Sequence, residues 1–323
     1  MTRIFGEEDA EPSLLANHSI AVIGYGNQGR SWALNLRDSG LEVSVHVRED
    51  ATRARAEEDG FAPGTIPTAA DADILCLLVP DDVIPLLDLA PREDSLTIVA
   101  SGYTPAFDRL EVAGDLGMIA PRMLGPEVRR CYEEGRGFIS AIGLARDVTG
   151  TALARTLALA HALGALREGA IEMTPHQEAL LDLAVEQVLS PALAHVNQSF
   201  VGVMLENGIP LEAILTELFL SGEVERTYGL LRTEGFTRQM EHHSPASQYG
   251  QLARRGSYDH LDLAEKMRTL SNAIADGSFA NEWDGERDRG HPALQRLKEE
   301  FCGPEIRALE DDLRRQLGPS RRK

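Results

Sequence analysis

Apolar positions follow two regimes along this chain. In the first half they come as short unbroken runs. Ser19 to Gly24 (SIAVIG), Leu41 to Val47 (LEVSVHV), Asp73 to Pro80 (DILCLLVP) and Leu96 to Ala100 (LTIVA) have the length and β-branched content of buried parallel strands. Met118 to Pro121 and Phe138 to Leu144 predict two more. The stretch RSWALNLRDSG, ending at Gly40, and residues 51–59, ending at Gly60, read as helices closed by glycine. Strands alternating with helices at this spacing predict an α/β domain with a doubly wound, mostly parallel sheet. Residues 1–17 read as an irregular leader. From about Thr149 the pattern changes to helical. Residues 150–165 are rich in Ala and Leu, Leu166 to Ile171 reads as a linker, and nearly everything after Thr174 is helical. The expected division is 1–170 for the α/β domain and 171–323 for an all-helical domain.

One turn carries recognisable chemistry. Gly24-Tyr25-Gly26-Asn27-Gln28-Gly29 is a GxGxxG directly after a strand and before a helix. The first glycine permits the tight turn and the second lets backbone approach a pyrophosphate. The third allows close helix–strand packing, while the helix N-terminus offers N–H groups to the anion. In this context the turn predicts dinucleotide binding by the N-terminal domain. After the second strand, Arg48, Thr52, Arg53 and Arg55 suit a 2′-phosphate, and Glu49 or Asp50 a ribose 2′-hydroxyl. Basic residues outnumber acidic ones, so NADPH is expected, with NADH the alternative.

A second stretch, Thr174 to Ser190 (TPHQEALLDLAVEQVLS), opens with a capping box. Thr174 is the N-cap, Pro175 the first helical residue, and Gln177 sits three residues after the cap. Two carboxylates, Asp182 and Glu186, interrupt its apolar body one turn apart on one face. Alone they read as a solvated stripe. If buried, they need a cation, a metal or a proton.

Composition narrows the partners. The chain has 323 residues and a formal net charge of −19, which disfavours nucleic acid and anionic membranes. No apolar run approaches the ~18–20 residues that span a bilayer. Cys76, Cys131 and Cys302 have no paired spacing, which points to the reducing cytoplasm. His161, His176 and His195 read as packing or surface histidines; His242 and His243 are candidates to line a substrate site. Ser101 lacks the partners of a serine hydrolase.

The sequence resembles the ketol-acid reductoisomerases, or acetohydroxyacid isomeroreductases, over essentially its whole length. The residues that carry the likeness are IGYGNQGRSWALNLRDSG, Leu78-Val79-Pro80-Asp81, Ile119-Ala120-Pro121, Val128-Arg129-Arg130 and Tyr132 to Gly137. They continue with Asp182-Leu183, Glu186-Gln187, Gln248-Tyr249-Gly250 and Ile274 to Trp283. The length is similar to the family's short-chain class. The resemblance implies a Rossmann domain joined to an all-α, knotted domain that forms a homodimer. It also implies NADPH, Mg²⁺, and alkyl migration in a small acetohydroxy acid followed by reduction of the resulting ketone. Oxygen ligands suit magnesium, and two ions polarise a hydroxyl and a ketone together. Asp182 and Glu186 match one carboxylate pair of the family's metal site. Glu217 matches the first member of the second pair, which comes from the neighbouring subunit. Ser244 matches the serine that holds the substrate carboxylate.

Three positions depart from the family pattern. The second member of the second carboxylate pair is Ser221. The family's Ala-His-Gly is Ala100-Ser101-Gly102, and its Pro-Lys-Gly is Pro121-Arg122-Met123. Losing an anionic ligand weakens a di-magnesium site, and losing a histidine removes an acid–base group. The expectation is therefore an NAD(P)H-dependent reductase of a small keto acid with the isomerase step altered or lost. Asp182, Glu186, Ser101 and Arg122 are its catalytic candidates, and Asp182, Glu186 and Glu217 hold one or two Mg²⁺ ions. The alternatives are a full reductoisomerase, a metal-independent ketone or imine reductase, and a non-catalytic cofactor-binding paralogue.

Overall fold

The computed structural model describes residues 1–301 and 304–317, with Glu305 and Ile306 by backbone alone. Cys302 and the last part of the basic tail lie outside the described residues. The chain forms two compact units, Met1–Leu183 and Ala184–Lys323.

The first unit is built on one eight-stranded sheet. Its strands are β1 (Ile4–Phe5), β2 (Ile20–Ile23), β3 (Val43–His46), β4 (Ile74–Leu77), β5 (Leu96–Val99), β6 (Asp115–Pro121), β7 (Ser140–Arg146) and β8 (Ala170–Glu172). The order is β1-β8-β7-β6-β5-β4-β2-β3. Pairing is parallel from β3 through β6 and again between β7 and β8, and antiparallel at β6–β7 and β1–β8. The sheet is thus mixed and Rossmann-like. Helices α1 (Asn27–Asp38), α2 (Ala51–Glu58), α3 (Tyr103–Ala106), α4 (Gly125–Glu133), α5 (Ala152–Leu163) and α6 (Pro175–Ala184) connect or follow the strands.

Both faces of the central strands are covered. Ile20 and Val22 belong to one buried cluster, with Trp32, Leu36, Ile74 and Ile98. Ala21 and Ile23 belong to the other, with Leu75, Leu77 and Val99. An unbroken apolar run is what a strand buried on both sides requires.

Two segments differ from their sequence reading. The leader is not irregular throughout: Ile4 and Phe5 pair antiparallel with Ile171 and Ala170, and Phe5 is fully buried. The expected linker 166–171 likewise runs into β8, which pairs with β7. Strands of two or three residues carry almost no period of their own, and only their partners identify them.

The buried pair Arg155–Asp115 ties α5 to β6. Asp115 also accepts from the backbone N–H groups of Val148 and Thr149 and from the Thr149 hydroxyl. Burial pushes its pKa up, but these donors and Arg155 outweigh burial and hold it below the usual carboxylate range. A depressed folded pKa stabilises above the unfolded value and is lost as pH falls through the folded one. Asp115→Ala leaves Arg155 buried and unpaired. It is expected to cost about 3–5 kcal/mol, seen as a lower thermal midpoint. The gap from wild type should begin to narrow as pH falls below about 4, where the unfolded-state carboxylate takes up its proton, and should close as pH falls through the lower folded value.

The second unit is helical. It comprises α7 (Ser190–Glu206), α8 (Leu211–Leu215), α9 (Glu223–Glu234), α10 (Pro245–Ala253), α11 (Leu263–Ala275), α12 (Ser278–Asp288), α13 (Pro292–Phe301) and α14 (Pro304–Gln316). Few of its apolar side chains are buried, Val188, Ile214, Leu230 and Ile274 among them. α7 has none buried and exposes Leu193, Val196, Phe200 and Val203. The helix Pro175–Glu206, with mean hydropathy 1.3 in its most apolar window, is long and apolar enough to cross a membrane. That departs from the expectation that no segment reaches this length. The helix is uncharged from Gln187 to Leu205 but carries polar residues such as Asn197, Gln198 and Ser199 within that span.

Candidate active site

β2 lies between β3 and β4, where the strand order reverses. Ligands of open α/β sheets bind at the carboxyl ends of the strands beside such a reversal. The glycine turn leaves β2 at this place. Gly24 has φ +96°, and a Cβ on it would meet the Leu78 carbonyl oxygen at 2.6 Å. A Cβ on Gly29 would meet the Gly24 carbonyl oxygen at 2.2 Å. Packing of the chain itself therefore demands glycine at both positions. Gly26 differs, for a Cβ there meets nothing within 4 Å. Nothing in the protein requires its missing side chain, but a ligand lying on the turn would.

Two cavities flank the turn. One, of about 180 Å³, runs from Gly24, Tyr25 and Gly26 past Val47, Arg48, Asp50 and Thr52 to an apolar wall of Ile66, Val79 and Leu87. The other, of about 330 Å³, joins Gly26, Asn27 and Gln28 to Pro80, Asp81, Ala100 and Ser101. An apolar slot on one side and polar groups on the other, with open backbone N–H groups between, fits an adenine, a pyrophosphate and a reactive ring.

Several of the expected cofactor residues are already engaged. Tyr25 borders the first cavity, yet its phenol is buried and donates to Asp59 (2.9 Å), which Arg30 also holds. Gln28 donates to the Met123 carbonyl and accepts from the Trp32 indole. Arg53 pairs with Glu49 and donates to the carbonyls of Pro63 and Gly64. The Thr52 hydroxyl donates to Asp50, which caps α2. Arg48 is the basic residue at the cavity that faces solvent, 74% exposed and 3.4 Å from Asp50.

A charged cluster lies at the far side of the turn. The capping box is formed as expected, Thr174 Oγ accepting from the Gln177 N–H and Gln177 Oε1 from the Thr174 N–H. It starts α6, which carries Glu178 and Asp182 four residues apart. Arg122, just beyond β6, donates from one Nη to Glu178 Oε1 (2.5 Å) and from the other to Asp182 Oδ1 (2.9 Å). Glu178 is 2% exposed, and its second oxygen accepts from the Gly102 N–H at 2.6 Å. A Cβ on Gly102 would collide with the Pro175 carbonyl at 2.2 Å, so this approach needs glycine. Burial pushes the Glu178 pKa up; Asp182 adds to the rise, and Gly102 and Arg122 oppose it. Asp81 is raised to about 7, by burial first and then by the charges of Glu178 and Asp182, while a hydrogen bond with Ser101 lowers it.

Glu178 and Asp81 went unremarked as candidates in the sequence. The signal for Glu178 was present, since Glu178, Asp182 and Glu186 recur at i, i+4 and i+8. That of Asp81 was the buried strand running straight into Pro80-Asp81.

The remaining candidates lie on the second unit. Glu186 is exposed and falls in a π-helical turn, Val185–Leu189, rather than in regular α-helix. Glu217 is exposed in a second π turn, Thr216–Leu220. Such turns recur at functional sites. The Ser221 hydroxyl donates to the Glu217 carbonyl, and Ser244 caps α10 by accepting from the Ser247 N–H. Of the histidines, His176 stacks edge-on with Phe107, and His242 bonds Glu234.

Comparison with known proteins decides the family. Residues 14–169 match the family model described as acetohydroxy acid isomeroreductase, NADPH-binding domain, and residues 176–318 match that of the ketol-acid reductoisomerase C-terminal domain. The chain belongs to the ketol-acid reductoisomerase family. It is 35% identical to putative ketol-acid reductoisomerase 3 of Saccharolobus solfataricus, covering 94% of this chain and 95% of the relative. It is 34% identical to the ketol-acid reductoisomerase (NADP(+)) of Methanopyrus kandleri, over 98% and 99%. Among solved structures it resembles an NADH-preferring ketol-acid reductoisomerase from an uncultured archaeon. That match has a TM-score of 0.89 at 29% identity, over 97% of this chain and 98% of the other. Like its family, the chain is an oxidoreductase that uses a nicotinamide cofactor.

Magnesium fits the donors less well. Asp182 is already bonded by a guanidinium, and Ser221 brings a hydroxyl where the family pattern has a carboxylate. Among the described residues no three His, Cys, Asp or Glu side chains gather into a metal site.

Proposed function

We propose that the protein reduces a small keto acid with NAD(P)H and that the isomerisation step of its family is altered or lost. The observation that carries this reading is the contrast between the two halves of the site. The dinucleotide turn is complete, with Gly26 open beside Asp81 and Ser101. The positions that serve rearrangement in the family pattern hold Ser101, Arg122 and Ser221 instead of a histidine, a lysine and a carboxylate.

In this reading residues 1–170 bind the dinucleotide through Gly24, Gly26, Asn27 and Gly29, and residues 171–323 supply the substrate side and the dimer. Arg48 is the residue for a 2′-phosphate, which supports NADPH; Asp50 beside it leaves NADH available. The nicotinamide end lies toward Asp81 and Ser101. Arg122 orients the substrate carbonyl or carboxylate, and Ser244 holds a substrate carboxylate. Asp182, Glu186 and Glu217 make up the acidic side. The uncovered apolar residues of α7 support a homodimer through a knotted helical domain rather than a membrane span, because polar Asn197, Gln198 and Ser199 interrupt the stretch. The unpaired cysteine spacing supports a cytoplasmic setting.

The experiment supplies NADPH or NADH, with and without Mg²⁺, to acetolactate and separately to the isomerised 3-hydroxy-2-keto acid. Turnover of the isomerised ketone alone is expected. A second reading, full reductoisomerase activity, draws on the names of the relatives. Mg²⁺-dependent turnover of both substrates would establish it and overturn the first.

A further inference from the structure

The charge balance around α6 points beyond the reductase reading. A carboxylate pair one turn apart repels, and partial burial sharpens the repulsion. Something positive has to lie against Glu178 and Asp182. That group is Arg122. Its backbone is fixed, with its N–H donating to the Ile139 carbonyl (3.0 Å) at the end of the sheet. Its planar fork spans the two carboxylates, one Nη to each. Glu178 cannot swing away, because its other oxygen is held by the Gly102 N–H. A guanidinium stays charged at every pH a protein meets, and its fixed fork bonds two acceptors together, which a single ammonium does less well.

We propose that the Arg122 guanidinium is the resident cation of this site, standing where a divalent ion would otherwise neutralise Asp182, and that ketone reduction here requires no Mg²⁺. Two of its five N–H groups serve the carboxylates, and those that remain are donors for a substrate oxygen. The step balances without a metal. A bound nicotinamide would supply hydride, with its electron pair, to form the C–H bond at the carbonyl carbon, and would itself be the group oxidised. The carbonyl π pair moves to oxygen, where the guanidinium stabilises it until a proton from water makes the alcohol. The proposal rests on the reductase reading for its activity arm only, since its metal arm is read without substrate.

Full-length protein, freed of metal by EDTA, is titrated with Mn²⁺ and followed by electron paramagnetic resonance. Wild type is expected to leave Mn²⁺ free up to about 1 mM, and its thermal midpoint should not move with about 10 mM Mg²⁺. Arg122→Gln strips the pair of its cation and is expected to bind Mn²⁺ at least about tenfold tighter, a gain that Arg122→Gln with Asp182→Asn abolishes. Arg122→Lys keeps the charge but not the fork and is expected to show a smaller gain than Arg122→Gln. Wild-type binding tighter than about 0.1 mM, with a matching rise in thermal midpoint, overturns the proposal, as does the absence of any gain in the variants. In the activity arm, reduction of the 3-hydroxy-2-keto acid is expected to be unchanged by EDTA, and loss of turnover in EDTA overturns the proposal as well. Failure to turn over any keto acid removes the reductase reading and leaves the Mn²⁺ result standing.

Discussion

Gly26→Val is expected to weaken dinucleotide binding by up to about a hundredfold while the protein stays folded. The present backbone leaves the space beside Gly26 open, so added carbons touch no protein atom within 4 Å at the first position. They would fill the place proposed for the pyrophosphate on the turn. Overpacking of a tight contact costs about 1–3 kcal/mol, and at the upper end that is about a hundredfold in Kd. Titration with NADPH should show that loss, with a thermal midpoint close to wild type. Gly29→Ala should do the opposite. Its Cβ meets the Gly24 carbonyl at 2.2 Å, so the turn itself is broken and the thermal midpoint falls before cofactor is added. If Gly26→Val bound NADPH normally, the cofactor would not lie on this turn.

The second large effect is expected at Glu178, a residue that touches both Arg122 and the Gly102 backbone. Glu178→Ala leaves the Gly102 N–H without its acceptor and releases one branch of the Arg122 fork. A hydrogen bond to a charged group contributes about 1.5–3 kcal/mol, so kcat/KM for reduction of the 3-hydroxy-2-keto acid should drop roughly 10- to 100-fold. Glu178→Gln keeps an acceptor for Gly102 but not the charge, and should fall between. A loss of thermal midpoint with kcat unchanged would make Glu178 a packing residue and nothing more.

Much of the fold was legible because it is written in local patterns. The buried runs at Ile20–Ile23 and Ile74–Leu77 are apolar on both faces and need no knowledge of their neighbours to be read as covered strands. The capping box at Thr174 and Gln177 spans three residues and forms as written. The edge strands were not legible. Ile4 finds its partner at Ile171, and no local period announces a pairing across that distance. The antiparallel turn of β7 against β6 is equally non-local.

The same division runs through the site. Spacing alone singled out Gly24, Gly26 and Gly29, because a tight turn after a strand is a local demand on φ and on space. It also marked Asp182 as a carboxylate that needs company when buried. It could not say which company. Arg122 lies 60 residues from Asp182 in the chain, and the sheet brings them together. Arg53, equally basic on paper, is consumed by two backbone carbonyls, while Arg48 stays at the cavity. The sequence by itself determined that a tight glycine turn follows the strand Ile20–Ile23 and that the centre departs from its family at Ser101, Arg122 and Ser221. Only the tertiary structure decided which charges meet. Hydrogen bonds and Coulomb attraction act over a few ångströms in space, and packing sets those distances with no regard to distance along the chain.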